Sequence, residues 1–293
     1  MCPLVVAAVV AVLGCGCGRG AVARPPGPLA SAMIALAADL GDDPAAVADA
    51  WGELGGIAAR VERRRRQTPG APGADLDALN AVIFGELGFE REISSDEPRF
   101  FQLSSVIRSR RGSCLGLSAL YLVLGERLGI PLDGVLLPGH FFVRTRGAPA
   151  RNVELLRRGE VMPDEWYQSK YGPWPVAKYG PSPNTISAYF RPLTVAELEA
   201  VHWYNAGNYH RRVGDFTAAE RDYQRAVADF PGFAEADASL GAMLQLRGDL
   251  TNAAAAYREA ARARADLPGL DRNTELLKQE QPLDSPQTRR TSP

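Results

Sequence analysis

Reactive side chains are scarce in this chain of 293 residues. It has three histidines, His140, His202 and His210, and four cysteines, Cys2, Cys15, Cys17 and Cys114. Three of the cysteines fall within the first seventeen residues, so they build no disulfide framework, and Cys114 stands alone in the part expected to fold. There is no HExxH and no CxxC pair in the fold, which argues against a metal-dependent hydrolase, and the serine-nucleophile pattern GxSxG is absent too. Excess charge is also missing. A net charge of −1 excludes a general nucleic-acid binder, and the run Arg63-Arg64-Arg65-Arg66 reads as a solvated helix end. The apolar run 4–13 is too short to cross a bilayer. A hydrophobic content of 46% and this length suit one sizeable core plus a smaller module.

What is present concentrates between Arg110 and Glu154. After the break at Gly112-Ser113, apolar residues at Leu117, Leu120, Tyr121, Leu124 and Leu128 keep helical spacing until Gly129-Ile130-Pro131. Ser113 is a natural N-cap, which predicts Cys114 in the first turn of an amphipathic helix. Unpaired N–H groups and the positive helix end there favour the thiolate, the nucleophilic form. Two strand-like runs follow, Val135-Leu136-Leu137 and Phe141-Phe142-Val143, with His140 at the head of the second. Gly147-Ala148-Pro149 turns the chain so that Arg151-Asn152-Val153-Glu154 can pair back as a hairpin. Asn152 or Glu154 then stands behind the imidazole, since alternate residues of a strand share a side. Cys114, His140 and Asn152, with Glu154 as the alternative third member, form a candidate thiol triad. The Cys114 backbone N–H is one oxyanion donor, and Gln102 is a weak candidate for the second. Such chemistry calls for no cofactor and no metal.

This order of Cys helix, His strand and polar strand resembles the transglutaminase-like, papain-related superfamily. More narrowly, LNAVIFGELGFERE (79–92), the segment 110–144 and RNVELLRRG resemble its bacterial SirB-type subgroup, which joins such a core to tetratricopeptide repeats. The resemblance covers roughly residues 45–265. Many members of that subgroup lack a Cys at the position of Cys114. Where transglutaminases place Asp this chain has Asn152, as papain-like proteases do.

The rest of the chain is organised around that segment. Residues 1–29 combine the short apolar run with a Pro/Gly-rich linker, as in a secretory signal. Val12-Leu13-Gly14-Cys15 resembles the lipobox of bacterial lipoproteins, which implies a lipid anchor on Cys15 and export to the cell envelope. No Lys or Arg precedes the apolar run, and a plain signal peptide with a soluble periplasmic product is the alternative. Residues 30–66 read as helical with a restart at Asp43 or Pro44, and Asp75–Leu87 as one amphipathic helix. Residues 163–184 form an aromatic loop in which Trp166, Tyr167, Tyr171 and Trp174 are candidates to wall the substrate cleft, the alternative being a wrap over the core.

From residue 200 the chain repeats. Gly207, Gly214, Ala219, Tyr223 and Ala226 recur 34 residues later as Gly241, Gly248, Ala253, Tyr257 and Ala260. That period and pattern match the tetratricopeptide repeat, whose usual role is to hold a peptide or partner protein. His202 and His210 lie on the first copy and read as surface or packing residues. The predicted architecture is α+β. A transglutaminase-like core (30–192), with helices ahead of a Cys-bearing helix on a small antiparallel sheet, precedes two helical repeats (193–270) and a disordered tail (271–293). Two functions fit. One is a thiol-dependent acyl-transfer enzyme acting on protein or peptide. The other is a non-catalytic envelope scaffold that recruits partners.

Overall fold

The computed structural model describes residues 27–71, 73–92, 96–171, 188–264 and 266–280. Two helices come first, α1 (Pro28–Asp39) and α2 (Pro44–Arg65). Asp43 caps α2 by accepting the Ala45 N–H at 2.9 Å, and Pro44 fills the first helical position, where a missing N–H costs nothing. Next, α3 (Ala74–Asn80) continues into a π-helical segment, residues 81–86. The single helix expected over Asp75–Leu87 therefore changes its winding halfway. Leu76, Leu79, Val82 and Ile83 stay buried across the change, so hydrophobic spacing alone does not reveal it. Strand β1 (Glu90–Arg91), a 3-10 turn at Pro98–Phe100, α4 (Leu103–Ser109) and β2 (Arg111–Gly112) lead into α5 (Cys114–Leu128). The two short strands pair in parallel.

Everything else surrounds α5. The sequence predicts an amphipathic helix, yet residues 115–125 are buried without interruption. A helix apolar on all sides belongs inside a fold, and α5 has α1, α2 and α4 against it on one side and strands on the other. Those strands form an antiparallel sheet in chain order: β3 (Leu132–Leu137), β4 (His140–Thr145), β5 (Asn152–Glu154) and β6 (Glu160–Met162). The last, three residues long with a charged residue at its head, has no counterpart in the sequence pattern. A short helix, α6 (Asp164–Tyr171), follows it. Residues 188–193 then lie along the free edge of β3. There the Phe190 N–H reaches the Leu136 carbonyl and the Leu193 N–H that of Gly134, both at 3.0 Å.

Beyond this mixed helical and sheet part come α7 (Val195–Val213), α8 (Phe216–Asp229), α9 (Ala234–Leu246), α10 (Leu250–Ala263) and α11 (Leu270–Glu280). The first four form two successive helical hairpins, α7 on α8 and α9 on α10. The 34-residue period has a direct packing meaning. A Cβ added at Gly207 would sit 2.6 Å from the Tyr223 ring, and one at Gly241 would sit 2.7 Å from the Tyr257 ring. Glycine lets each tyrosine fill the gap between its two helices. The disordered tail expected from residue 271 is overturned for 271–280, and residues 281–293 lie outside the described residues. Residues 270–280 are helical because Leu270 and Leu277 are buried with the apolar residues of α10. Leu198, Val201, Trp203 and Ala206 of α7 share one core with α1, α2 and α5, so the hairpins are built onto the fold. Among the described residues, no helix is long and apolar enough to cross a membrane.

Candidate active site

Cys114 opens α5, as the spacing predicts. The buried Ser113 is the N-cap, its hydroxyl accepting the Gly116 N–H at 3.3 Å. The Cys114 and Leu115 amides, at the first two helical positions, have no acceptor within the helix and lie beside the half-buried thiol. Sequence reasoning missed Gly116. A Cβ there would lie 2.2 Å from the Phe100 carbonyl oxygen and 2.8 Å from a Val106 methyl, so only glycine lets this helix end seat against the 3-10 turn and α4. The Gly112-Ser113-Cys114-Leu115-Gly116 sequence was the available signal.

A tight turn at residues 138–139 brings β4 back alongside β3, which sets His140 opposite Leu137. His140 is buried, and its Nε2 lies 2.7 Å from Glu154 Oε2, itself 1% exposed. That leaves Nδ1 for the thiol. Burial by itself would push the imidazole towards its neutral form. The hydrogen bond with Cys114, the bond to Glu154 and the negative charge of both outweigh it, raising the His140 pKa from 6.5 to about 9. The ring is an imidazolium at neutral pH and stands beside the thiol.

Asn152 does not reach this ring, which corrects the expectation that it backs the imidazole. Its Oδ1 accepts from Arg144 Nε at 2.6 Å, and its Nδ2 donates to Asp164 Oδ1 at 2.5 Å and to the Met162 carbonyl at 3.3 Å. Register explains the difference. Arg144 pairs with Asn152, so Glu154 falls level with Phe142, diagonal to His140, while Asn152 lies two residues further along. Gln102 is not positioned as the second oxyanion donor. It is buried, its amide donates to the Leu40 carbonyl at 3.1 Å, and it does not line the cavity beside the thiol.

The aromatic residues of α6 stand behind the imidazole. Tyr171 stacks on His140 with ring centroids 4.3 Å apart and planes 4° from parallel. Tyr167, fully buried, stacks on Phe142 at 4.2 Å, and Trp166 meets its edge at 4.9 Å. Burial and the Glu154 charge push both tyrosine hydroxyls upward, so they remain protonated. None of the three lines the cavity at Cys114; they seal the far side of His140 and Glu154 instead. Trp174 and Cys15 lie outside the described residues.

That cavity has a volume of about 200 Å³ and opens beside Cys114 and His140, with Leu136, Leu137 and Phe141 of the sheet on one side. Its other wall comes from the helical hairpins: Tyr204, Asn205 and Asn208 of α7, then Phe233 and Glu235. The two remaining histidines are packing residues. His202 is buried with Nδ1 2.9 Å from the Leu198 carbonyl, and His210 Nδ1 meets Asp222 at 2.6 Å. Among the described residues, no group of three or more His, Cys, Asp or Glu side chains is arranged to hold a metal ion.

Residues 48–171 match a family model described as the transglutaminase-like superfamily. The chain carries a transglutaminase-like domain. It contains Cys114, His140, Glu154 and Tyr171, and the helical hairpins lie beyond it. A UPF0162 protein of Xylella fastidiosa is 41% identical over 72 residues, 24% of this chain and 25% of that protein. Another, from Pseudomonas aeruginosa, is 29% identical over 185 residues, 59% of this chain and 66% of its own length. The chain thus spans a quarter of the length of the first relative. Among solved structures, menin covers 88% of this chain and 71% of its own, with 12% identity and a TM-score of 0.42. That likeness is too loose to argue from.

Proposed function

We propose that this protein is a thiol-dependent acyl-transfer enzyme in which Cys114 is the nucleophile, His140 the proton carrier and Glu154 the residue that orients and charges the ring. The Cys114 thiolate attacks an amide carbonyl carbon, and a C–S bond forms as the carbonyl oxygen becomes an oxyanion. The Cys114 and Leu115 amides at the end of α5 face that charge. His140 then gives its proton to the departing amine as the C–N bond breaks, leaving a thioester. Water or a second amine attacks the thioester carbon, the neutral imidazole takes up the incoming proton, and the C–S bond breaks to release the acid or the new amide and restore the thiolate and imidazolium.

The observation that carries this reading is the buried imidazole held between the thiol and a buried carboxylate. A structural cysteine needs neither. The 34-residue period and its glycine–tyrosine packing support reading the hairpins as two tetratricopeptide repeats. Residues 1–26 support export and an anchor at Cys15, by their resemblance to a lipoprotein signal.

The test is the pH dependence of iodoacetamide alkylation of Cys114 in the full chain, read on the tryptic peptide 112–127 so that Cys2, Cys15 and Cys17 do not interfere. A thiol that reacts with an apparent pKa well below the ordinary value of about 8.5, and loses this in His140→Ala, is the expected result. An ordinary profile unchanged by removing His140 would leave a non-catalytic scaffold as the function.

A further inference from the structure

The hairpins reach the thiol's own cavity, and the residues they present there have spare hydrogen-bonding capacity of a particular kind. Asn205 and Asn208 lie three apart on α7 and therefore on one face, side by side. Asn205 Nδ2 gives one hydrogen to the Val201 carbonyl at 2.7 Å, which leaves its oxygen and a second hydrogen. Asn208 accepts the Tyr223 hydroxyl at 2.8 Å through Oδ1 and is hydrogen-bonded to the Tyr204 hydroxyl as well, so it holds the wall in place and Asn205 carries the spare capacity. The free oxygen and second hydrogen of Asn205, on a half-buried helix face, match the alternating C=O and N–H groups of an extended main chain.

The charge in the cavity is already compensated. Glu235 pairs with Arg264 at 2.9 Å and accepts the Tyr189 hydroxyl. Tyr189 is brought there because residues 188–193 are hydrogen-bonded to β3. Away from Cys114 and His140, an entering group therefore meets apolar and neutral polar surface, with Glu235 the one charged side chain among the described residues that line it. Size adds a further limit. At about 200 Å³ the cavity falls below the roughly 300 Å³ at which small-molecule sites begin. One side chain fits; the remainder of its molecule must lie outside, over α7.

We propose that an extended polypeptide segment docks along Asn205 and Asn208 of α7 and delivers one uncharged side chain into the cavity, so that the helical hairpins are the substrate-binding wall of the thiol site. This rests on the acyl-transfer reading of Cys114 and adds the substrate class and the residues that select it. A separate recruiting groove, remote from the thiol, is the arrangement it replaces.

The test compares two electrophiles on the full chain. One is free chloroacetamide. The other is an acetyl-capped, amidated hexapeptide of alanine and serine whose third residue carries a side-chain chloroacetamide. Each alkylates Cys114 with formation of a C–S bond and loss of chloride. Because both use the same thiol, the ratio of their rates is independent of how much thiolate is present. The expected ratio is at least tenfold in favour of the peptide, falling towards one in Asn205→Ala and in the Asn205→Ala/Asn208→Ala double variant. The single variant covers the case in which losing the Tyr223 bond disturbs the fold, which a circular-dichroism melt detects. A peptide no faster than chloroacetamide, or an advantage that survives in Asn205→Ala, overturns the proposal. An ordinary chloroacetamide pH profile instead counts against the thiolate reading and leaves the rate ratio to judge the docking wall.

Discussion

Burial would strip the proton from the His140 imidazole, and its two neighbours keep it there. Because the folded ring holds its proton up to about pH 9, against 6.5 for a free ring, the contribution of this proton to stability is complete below about 6.5. It fades as the pH rises through about 9. Glu154 supplies part of that effect, and Glu154→Gln removes the charge while keeping the shape. The expected result is a His140 pKa lower by about one unit or more, with thiolate reactivity at neutral pH reduced several-fold. An NMR titration of the imidazole in both proteins measures it, and an unmoved midpoint would show that Glu154 does not set this charge. At this scale the sequence was half legible. It identified thiol and ring, because a capped helix start and a strand head leave local marks. It put Asn152 ahead of Glu154, because residues two apart on a strand share a side and only the β4–β5 register separates them.

Elements were more legible where local chemistry fixes their ends. Asp43 and Pro44, Ser113 and Gly129 bound α2 and α5 as their residue types dictate, with Gly129 in the left-handed region at φ 69°. The burial of α5 on all sides was not legible, since a hydrophobic stripe implies one covered face and says nothing of what closes on the others. The role of α6 was legible only as two alternatives, a wall of the cleft or a wrap over the core, and its helix turns Tyr167 and Tyr171 onto Phe142 and His140. The hairpins were legible in detail, because the same glycine–tyrosine pair recurs. Gly207→Ala tests that packing. The new methyl has no room beside Tyr223, so stability should fall by about 1–3 kcal/mol, a loss of several degrees in Tm. Thermal denaturation followed by circular dichroism gives the answer, and a variant as stable as the parent would mean that the two helices can separate without cost.

The whole molecule is less divisible than its two sequence patterns suggest. A transglutaminase-like core and a repeat module read as separate domains, yet Leu198, Val201 and Trp203 of α7 and Phe230 after α8 lie in the same core as α1, α2 and α5. The residues of α10 and α11 gather into a second, smaller cluster together with part of α9. A chain ending after Thr194 should therefore lack a cooperative unfolding transition. In the full chain, the first hairpin should melt together with the core. Calorimetry checks both, by comparing the measured enthalpy with the van't Hoff value. A sharp, reversible transition in the truncated chain would make the core an independent domain. For the same reason, deletion of the hairpins is a poor probe of substrate binding, whereas single substitutions on α7 leave the shared core in place.

The parallel stacking of Tyr171 on His140 has a spectroscopic consequence. A proton held over the face of an aromatic ring feels that ring's induced current and resonates upfield. The His140 carbon-bound ring protons are placed to feel it, and the chain has only two other histidines, both of which meet a neighbouring ring edge-on among the described residues. The imidazole at the candidate active site thus carries its own magnetic label, readable without isotopic editing for as long as α6 stays seated on it.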